Sequence, residues 1–184
     1  MALVLDGNGT MTVGNGDITG ITAGAIESTA IVGTVRQVVQ TVKTDSFSSS
    51  AASWTDITGL SLSITPTSSS SKILVSFSLM VGCADSNPDV MLRLVRNSTA
   101  IALGDNGGTD NVTKIAISYN TGTQGSYFTA DNNLSYIDSP NTTSATTYKI
   151  QMRNWSASQV WYVGRRALNT SFLIPSFITA TEIS

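Results

Sequence analysis

The sequence predicts an all-β protein: a jelly-roll-like antiparallel β-sandwich head with an extended N-terminal arm. Apolar and polar residues alternate in short runs from residue 34 onward, which is the period of a half-buried strand. Clusters of Gly, Asn, Asp, Ser and Pro separate these runs, and no run has the period of an amphipathic helix. Only 12% of residues are charged. This composition is typical of hydroxyl-rich strands, or of a surface covered by neighbouring chains.

Residues 1–33 differ from the remainder of the chain. They contain Gly-Asn-Gly twice, and both residue types favour turns because they tolerate positive φ. Such a segment buries too little apolar surface to fold alone. We therefore expect residues 1–33 to form an extended anchoring arm and residues 34–184 to form the head. The candidate anchoring residues are the apolar side chains of the arm: Leu5, Met11, Val13, Ile18 and Ile21.

The first half of the head predicts a series of strands. The run TVRQVVQTVKTD places Val35, Gln37 and Val39 on one face and carries Val on the other face too, so both faces are expected to be covered. The runs WTDITGLSLSITP, KILVSFSLMVG and DVMLRLVRN follow, and NSTA is expected to turn the last of these into a hairpin. Predicted core residues are Ile57, Leu60, Leu62, Ile64, Ile73, Val75, Phe77, Leu79, Val90, Leu92 and Leu94, whereas Met91, Arg93 and Val95 are expected to be exposed.

The second half continues the same pattern. Strands are predicted in VTKIAIS, YFTA, LSYID, TTYKIQMRNW, QVWYVG and SFLIPSFITATEI, separated by polar loops. In the fourth of these, Tyr148, Ile150 and Met152 share the face opposite Lys149. The chain thus ends on an apolar strand, although chain ends are usually polar and frayed.

Catalytic and metal-binding residues are scarce. The chain has no His, which removes the commonest general base and metal ligand, and only two Glu, Glu27 and Glu182. Most Asp residues lie in turn sequences. The single Cys83 excludes an internal disulfide and is expected to be a buried hydrophobe. We expect no enzyme activity, no cofactor and no metal site; a calcium loop at Asp105, Asn106, Asp110 and Asn111 is the weaker alternative.

The composition also limits the class of partner. The net charge is −2 and the sequence has no basic stripe, so we expect no nucleic-acid binding. No apolar run reaches the roughly 18 residues that a membrane-spanning helix needs, so we expect no membrane insertion. Aromatic side chains can stack on sugar rings, although Trp is more often a core or interface residue. The candidates for such stacking are Trp54, Trp155, Trp161 and Tyr162.

Several stretches together resemble virion fiber and appendage proteins of marine tailed phages. They are the opening strand GTVRQVVQ, the segment WTDITGLSLSITP, the strand SSSKILV and the ending SFLIPSFITATEI. The resemblance covers about residues 33–184. It implies a jelly roll similar to the trimeric tumour-necrosis-factor and complement-type heads, located in the virion without catalysis. It leaves open whether the partner proteins belong to the capsid, the neck or the tail.

The apolar ending suggests a homotrimer, because in a three-fold assembly an outward face and a terminus can both become buried. On this interpretation Phe172, Ile174 and Phe177 form the oligomer interface, and Pro175 occupies a bulge or an unpaired edge position. The alternative is a monomeric sandwich that ends in an inner strand. A second functional reading is a host-surface adhesin that binds a receptor or glycan through loops 105–111, 120–126 and 138–146.

Overall fold

The computed structural model describes residues 34–83, 89–105, 114–117, 129–157 and 159–184, of which 114–117 are described as backbone. These residues form eleven strands, and the predicted all-β class is confirmed. The strands are β1 (Val35–Lys43), β2 (Phe47–Ser49), β3 (Thr55–Ile64), β4 (Lys72–Cys83), β5 (Asp89–Arg96), β6 (Thr99–Ile101), β7 (Lys114–Ile117), β8 (Thr129–Asp138), β9 (Thr146–Asn154), β10 (Trp161–Val163) and β11 (Ser176–Ile183).

The strands form two antiparallel sheets that pack as a sandwich. The first sheet runs β1-β11-β4-β8, and the short strands β10 and β2 continue it beside the last residues of β4. The second sheet runs β3-β9-β5, and both β6 and β7 pair with the far side of β5. From β2 to β5, and again from β7 to β10, successive strands alternate between the sheets, and the last strand returns beside the first. This is the strand order of a jelly roll.

The core lies between the two sheets and contains every residue that the alternation assigned to it. β4 contributes Ile73, Val75, Phe77 and Leu79, each no more than 1% exposed. From the facing sheet, β9 contributes Tyr148, Ile150 and Met152, which are completely buried. Cys83 is buried beside them, and its Sγ donates a hydrogen bond to the carbonyl oxygen of Val160 at 3.3 Å. The predicted role of Cys83 as a small buried hydrophobe is confirmed.

A bulge in β3 explains an irregular spacing in the sequence. Ile57 and Leu60 are both buried although three positions separate them, and strict alternation allows only even intervals. The register with β9 shifts between Asp56 and Ser61, and Gly59 within this interval has φ of 86°. Between Asp56 and Ser61 β3 advances five residues while β9 advances two, so β3 gains three residues. Because the left-handed region favours glycine, Gly59 accommodates this bulge and returns Leu60 to the core.

Two details of the predicted strand faces are wrong. A register shift between Val35 and Gln37 places Val35 opposite Ile183, on the outer face and away from Gln37. Met91 and Val95 are buried, not exposed. β5 is a central strand, and Met91 lies opposite Arg153 and Val95 opposite Lys149 on β9. The long aliphatic stems of such residues can cover apolar neighbours on the same face while their charges reach water.

The apolar end of the chain belongs to its own sandwich. β11 lies between β1 and β4, and its inward residues Ile178 and Ala180 are fully buried within the single chain. These two residues therefore need no second copy to explain them, contrary to our reason for expecting an oligomer. Pro175 directly precedes the strand, so its missing N–H interrupts no ladder hydrogen bond, and the expected bulge or edge position is wrong.

Candidate functional site: the outer face of the first sheet

The outer face of the first sheet carries twelve consecutive positions without a charged side chain. The registers align them in three rows of four across β1, β11, β4 and β8. We call these twelve residues the uncharged face. The rows are Val42, Phe177, Ser78 and Asn133; Gln40, Thr179, Ser76 and Ser135; and Val38, Thr181, Leu74 and Ile137.

Apolar side chains lie at the margins of this face and small polar ones lie at its centre. Val38 and Val42 on β1 are 59% and 52% exposed, and Ile137 on β8 is 59% exposed. The centre of the face consists of hydroxyl residues, which offer hydrogen bonds without the hydration cost of a charge. Charged residues occur only beyond the rows, with Lys72 past one end and Asp131 past the other. The face is therefore uncharged and partly apolar.

The outer face of the second sheet is different, because it carries an ion pair between Asp56 and Lys149. The carboxylate of Asp56 accepts hydrogen bonds from Lys149 at 2.8 Å and from Gln151 at 2.6 Å. Partial burial opposes ionisation of this carboxyl, but the two hydrogen bonds lower the pKa of Asp56. Arg93 donates to Gln151 and stacks 4.3 Å from the centroid of the Trp54 ring. Such a face is typical of a sheet surface that meets water.

A shallow depression lies on the uncharged face beside Phe177. Side chains from three neighbouring strands line it: Ser76, Ser78, Asn133, Ser135 and Phe177. Its walls combine hydroxyl and amide groups with one aromatic ring. This composition suits an inserted apolar or aromatic side chain whose polar neighbours can bond to the rim.

The loop between β10 and β11, residues 164–175, exposes a second apolar surface. Phe172 is 62% exposed, and Leu168, Leu173 and Ile174 are also exposed. Two backbone hydrogen bonds hold the base of the loop: Ile174 N–H donates to the Gly164 carbonyl at 2.8 Å, and Gly164 N–H donates to the Met80 carbonyl at 2.9 Å. Arg166 lies 4.8 Å from the centroid of the Phe172 ring. The exposed apolar side chains thus belong to a loop with a defined conformation.

A buried carboxylate secures the start of β1 next to the end of β11. Glu182 is fully buried, and its oxygens accept hydrogen bonds from the Thr67 N–H at 2.7 Å, the Thr67 hydroxyl at 2.6 Å and the Gln37 amide at 2.6 Å. Burial alone would raise the pKa of Glu182, but the hydrogen bonds outweigh it and lower the pKa to about 2. The glutamate is thus a structural clamp among β1, β11 and the β3–β4 loop.

A second buried network connects the two sheets. Asp138 at the end of β8 accepts a hydrogen bond from the Tyr148 hydroxyl at 2.6 Å and pairs with Arg96 at 2.8 Å. Burial raises the pKa of Tyr148 above its ordinary value, and the hydrogen bond to Asp138 raises it further. Because Asp138 belongs to the first sheet and its two partners to the second, this network fixes how the sheets meet at that edge.

The three residues of the predicted interface lie in two parts of the structure. Phe177 lies on the uncharged face, whereas Phe172 and Ile174 precede β11 in the β10–β11 loop, and all three are exposed in the single chain. Sequence reasoning missed Val38, Val42 and Ile137. The signal for the first two was present, because β1 carries Val on both faces. Ile137 gave no such signal, since one Ile in a predicted strand is ordinarily assigned to the core.

The aromatic candidates for sugar stacking have different environments. Trp161 is fully buried, so its predicted sugar contact is wrong. Arg93 covers Trp54, and Arg165 lies 3.8 Å from the centroid of the Tyr162 ring. Trp155 is 64% exposed on the loop after β9. Trp155 is therefore the candidate whose ring is the most open to a ligand.

Some of the predicted residues lie outside the described part of the chain. These are the anchoring candidates Leu5, Met11, Val13, Ile18 and Ile21, and Asn106, Asp110 and Asn111 of the proposed calcium loop. Asp105 is described and exposed. Within the described ranges, no group of three or more metal-ligating side chains occurs. The same ranges contain no helix of the length and apolarity required to cross a bilayer.

Comparisons with known proteins give a distant structural match. No protein-family model and no curated protein sequence matches the chain. Among solved structures, the chain is similar to one from infectious bursal disease virus, Gx strain, with a TM-score of 0.39 and 15% identity. The match covers 79% of this chain and 37% of that viral chain, so the present chain spans little more than a third of its length.

Proposed function

We propose that this protein is a structural component of a bacteriophage virion, a fiber or decoration-type appendage. Residues 1–33 attach it to capsid, neck or tail proteins, and the jelly-roll head assembles as a homotrimer. The head acts by shape and surface complementarity and performs no catalysis. The resemblance over residues 33–184 implies the virion role of the head. The proposal adds an attachment role for residues 1–33.

The uncharged face is the observation that carries this proposal. An antiparallel sheet usually turns a polar, charged side to water, as β3 and β9 of the second sheet do here. The first sheet instead presents twelve uncharged positions with three exposed aliphatic side chains at the margins. A contiguous surface of this kind is typical of a protein–protein contact. A protein whose work is assembly requires such a surface.

The residues that carry the resemblance have architectural roles in the fold. Gln37 of the opening strand bonds to Glu182 of the closing strand, and Gly59 of the WTDITG segment forms the β3 bulge. Ile73 and Val75 of the KILV strand are core residues. These roles support a resemblance in head architecture, which is what a structural virion protein would share with its relatives.

Truncation of the arm tests the attachment role. In cells producing the phage, the full chain should co-purify with virions, and a chain lacking residues 1–30 should not. The purified truncated chain should keep the circular dichroism spectrum and the oligomeric mass of the full chain. Particles that retain the truncated protein would contradict the role of the arm. Absence of the full chain from purified particles would contradict the virion role itself.

Host-surface binding is the second candidate, and the exposure of Trp155 favours it. This ring stands on a loop at the end of the sandwich, where a rigid scaffold can present it to a sugar or receptor. The purified head should then bind host cells, and Trp155→Ala should abolish binding without changing the melting temperature. Equal binding by Trp155→Ala and the unmodified chain would contradict this assignment.

A further inference from the structure

We propose that the β10–β11 loop of one copy packs into the depression on the uncharged face of the next copy. The contact would repeat around a three-fold axis. This inference rests on the proposed homotrimer and names its two contact surfaces. The central pair is Phe172 on the loop and the depression lined by Ser76, Ser135 and Phe177.

The described part of the chain exposes two different surfaces of this kind, and a ring requires two. In a closed ring with cyclic symmetry above two-fold, each interface joins one patch to a different patch of the neighbour. The uncharged face contains a depression, whereas the β10–β11 loop bears the exposed apolar side chains Leu168, Phe172, Leu173 and Ile174. One surface can therefore receive and the other can insert.

The position of the loop favours a small closed ring over a filament. The loop enters β11 at Ser176, and the next residue, Phe177, already belongs to the uncharged face. The two surfaces therefore adjoin along one side of the head. Contacts through two adjoining surfaces can join a few copies around a nearby symmetry axis. Contacts through surfaces on opposite sides of a molecule instead link the copies into an open array.

The size of the uncharged face also indicates a contribution from the loop. Three rows across four strands measure roughly 19 Å by 20 Å, on the order of 400 Å². A stable specific interface buries about 800 Å² on each partner. The face alone is too small, and a second apolar surface from the neighbouring copy would supply the remainder.

A second copy of this chain is the occupant that the charge pattern favours. The face has no charged position with which to recognise a phosphate, a headgroup or a charged peptide. The loop presents aliphatic and aromatic side chains to match it. Arg166 is stacked on the Phe172 ring and is thereby held at the loop, leaving the remaining exposed part of that ring for a neighbour.

Two single substitutions test the contact from its two sides. Phe172→Glu replaces the inserted ring with a negatively charged side chain. Ser135→Lys places a positively charged side chain in the depression. Each should convert the trimer of the full chain to monomers at the same concentration, with the circular dichroism spectrum unchanged. The matched controls are Ser63→Lys, an exposed strand serine on the outer face of the second sheet, and Trp155→Glu, an exposed aromatic elsewhere. Both controls should remain trimeric.

The double variant Phe172→Glu with Ser135→Lys decides the pairing. Because each interface takes its loop from one copy and its face from the next, opposite charges would meet at every contact and the trimer should return. A trimer that survives both single changes, or a double variant that stays monomeric, would overturn the inference while leaving the homotrimer standing. An unmodified chain that is monomeric would instead overturn the homotrimer, and the inference with it.

Discussion

At the scale of single residues, two buried polar clusters determine how the ends and the sheets of the sandwich join. Glu182 is one of only two glutamates, and the hydrogen bonds to its carboxylate come from β1 and from the β3–β4 loop. The carboxylate of Asp138 accepts a hydrogen bond from Tyr148 on β9 and pairs with Arg96 on β5, both in the second sheet. A buried carboxylate is stable only with such partners, because an uncompensated buried charge is costly. These acidic residues are therefore explained by the fold.

Glu182 predicts a specific acid dependence of stability. The pKa of Glu182 is lowered from its ordinary value of 4.5 to about 2 in the folded chain. The ionised carboxylate therefore contributes its full stabilisation of the fold above pH 4.5. This contribution is lost as the pH falls from 4.5 towards 2. Glu182→Gln should cost about 1–3 kcal/mol near neutral pH and should remove this part of the acid dependence. Urea unfolding measured across that pH range checks the prediction.

Asp105→Asn is the control for Glu182→Gln, because it removes a carboxylate from an exposed loop. It should leave the stability at neutral pH close to that of the unmodified chain. If Glu182→Gln shows the same acid dependence as the unmodified protein, the account of the clamp is wrong.

Tyr148 predicts the opposite dependence, at alkaline pH. The pKa of Tyr148 is raised in the folded chain, so Tyr148 contributes fully to the stability of the fold below its ordinary pKa of 10.0. This contribution to stability declines as the pH rises past that value. Tyr148→Phe should cost about 1–3 kcal/mol at neutral pH, because Asp138 loses a donor. It should also flatten the alkaline decline in the melting temperature. Tyr162→Phe serves as the control, and an equal loss in both variants would contradict the assignment.

At the scale of strands, alternation of apolar and polar residues predicted most of the sandwich. The runs of β3, β4 and β9 identified their core residues correctly, because each strand has one face on the core. In β5 the prediction identified Val90, Leu92 and Leu94 but missed the burial of Met91 and Val95. The errors have local causes. β2 was not among the predicted strands, because its three residues are too few to show a period. The bulge at the start of β1 moved Val35 to the outer face. Periodicity cannot reveal a bulge unless, as in β3, two core residues bracket it.

Two glycines with positive φ predict a graded loss of stability. At Gly59 a new Cβ would meet only the side chain of Lys43 at ordinary contact distance, so Gly59→Ala should cost about 1 kcal/mol from the backbone alone. At Gly164 the Cβ would lie 3.1 Å from the Ile174 carbonyl oxygen, so Gly164→Ala should cost more. Urea unfolding of both variants gives the comparison. An equal or smaller loss for Gly164→Ala would contradict the described packing at the base of the β10–β11 loop.

At the scale of the whole molecule, the two outer faces of the sandwich are unlike each other. One carries the ion pair of Asp56 with Lys149, and the other is uncharged over twelve positions. Sequence alone could suggest an interface at the apolar end of the chain, and it named Phe177 correctly as an outward residue. It could not assemble the face, because the four strands that form it are remote in sequence and only their register aligns their side chains.

Sedimentation equilibrium of the purified full-length chain at micromolar concentration tests the central claim most directly. The account predicts a single species with three times the 19.3 kDa mass of one chain. It also predicts that the species dissociates when Ser135 is replaced by Lys and persists when Ser63 is replaced in the same way. A stable species of 19.3 kDa, with the uncharged face open to water, would contradict the account.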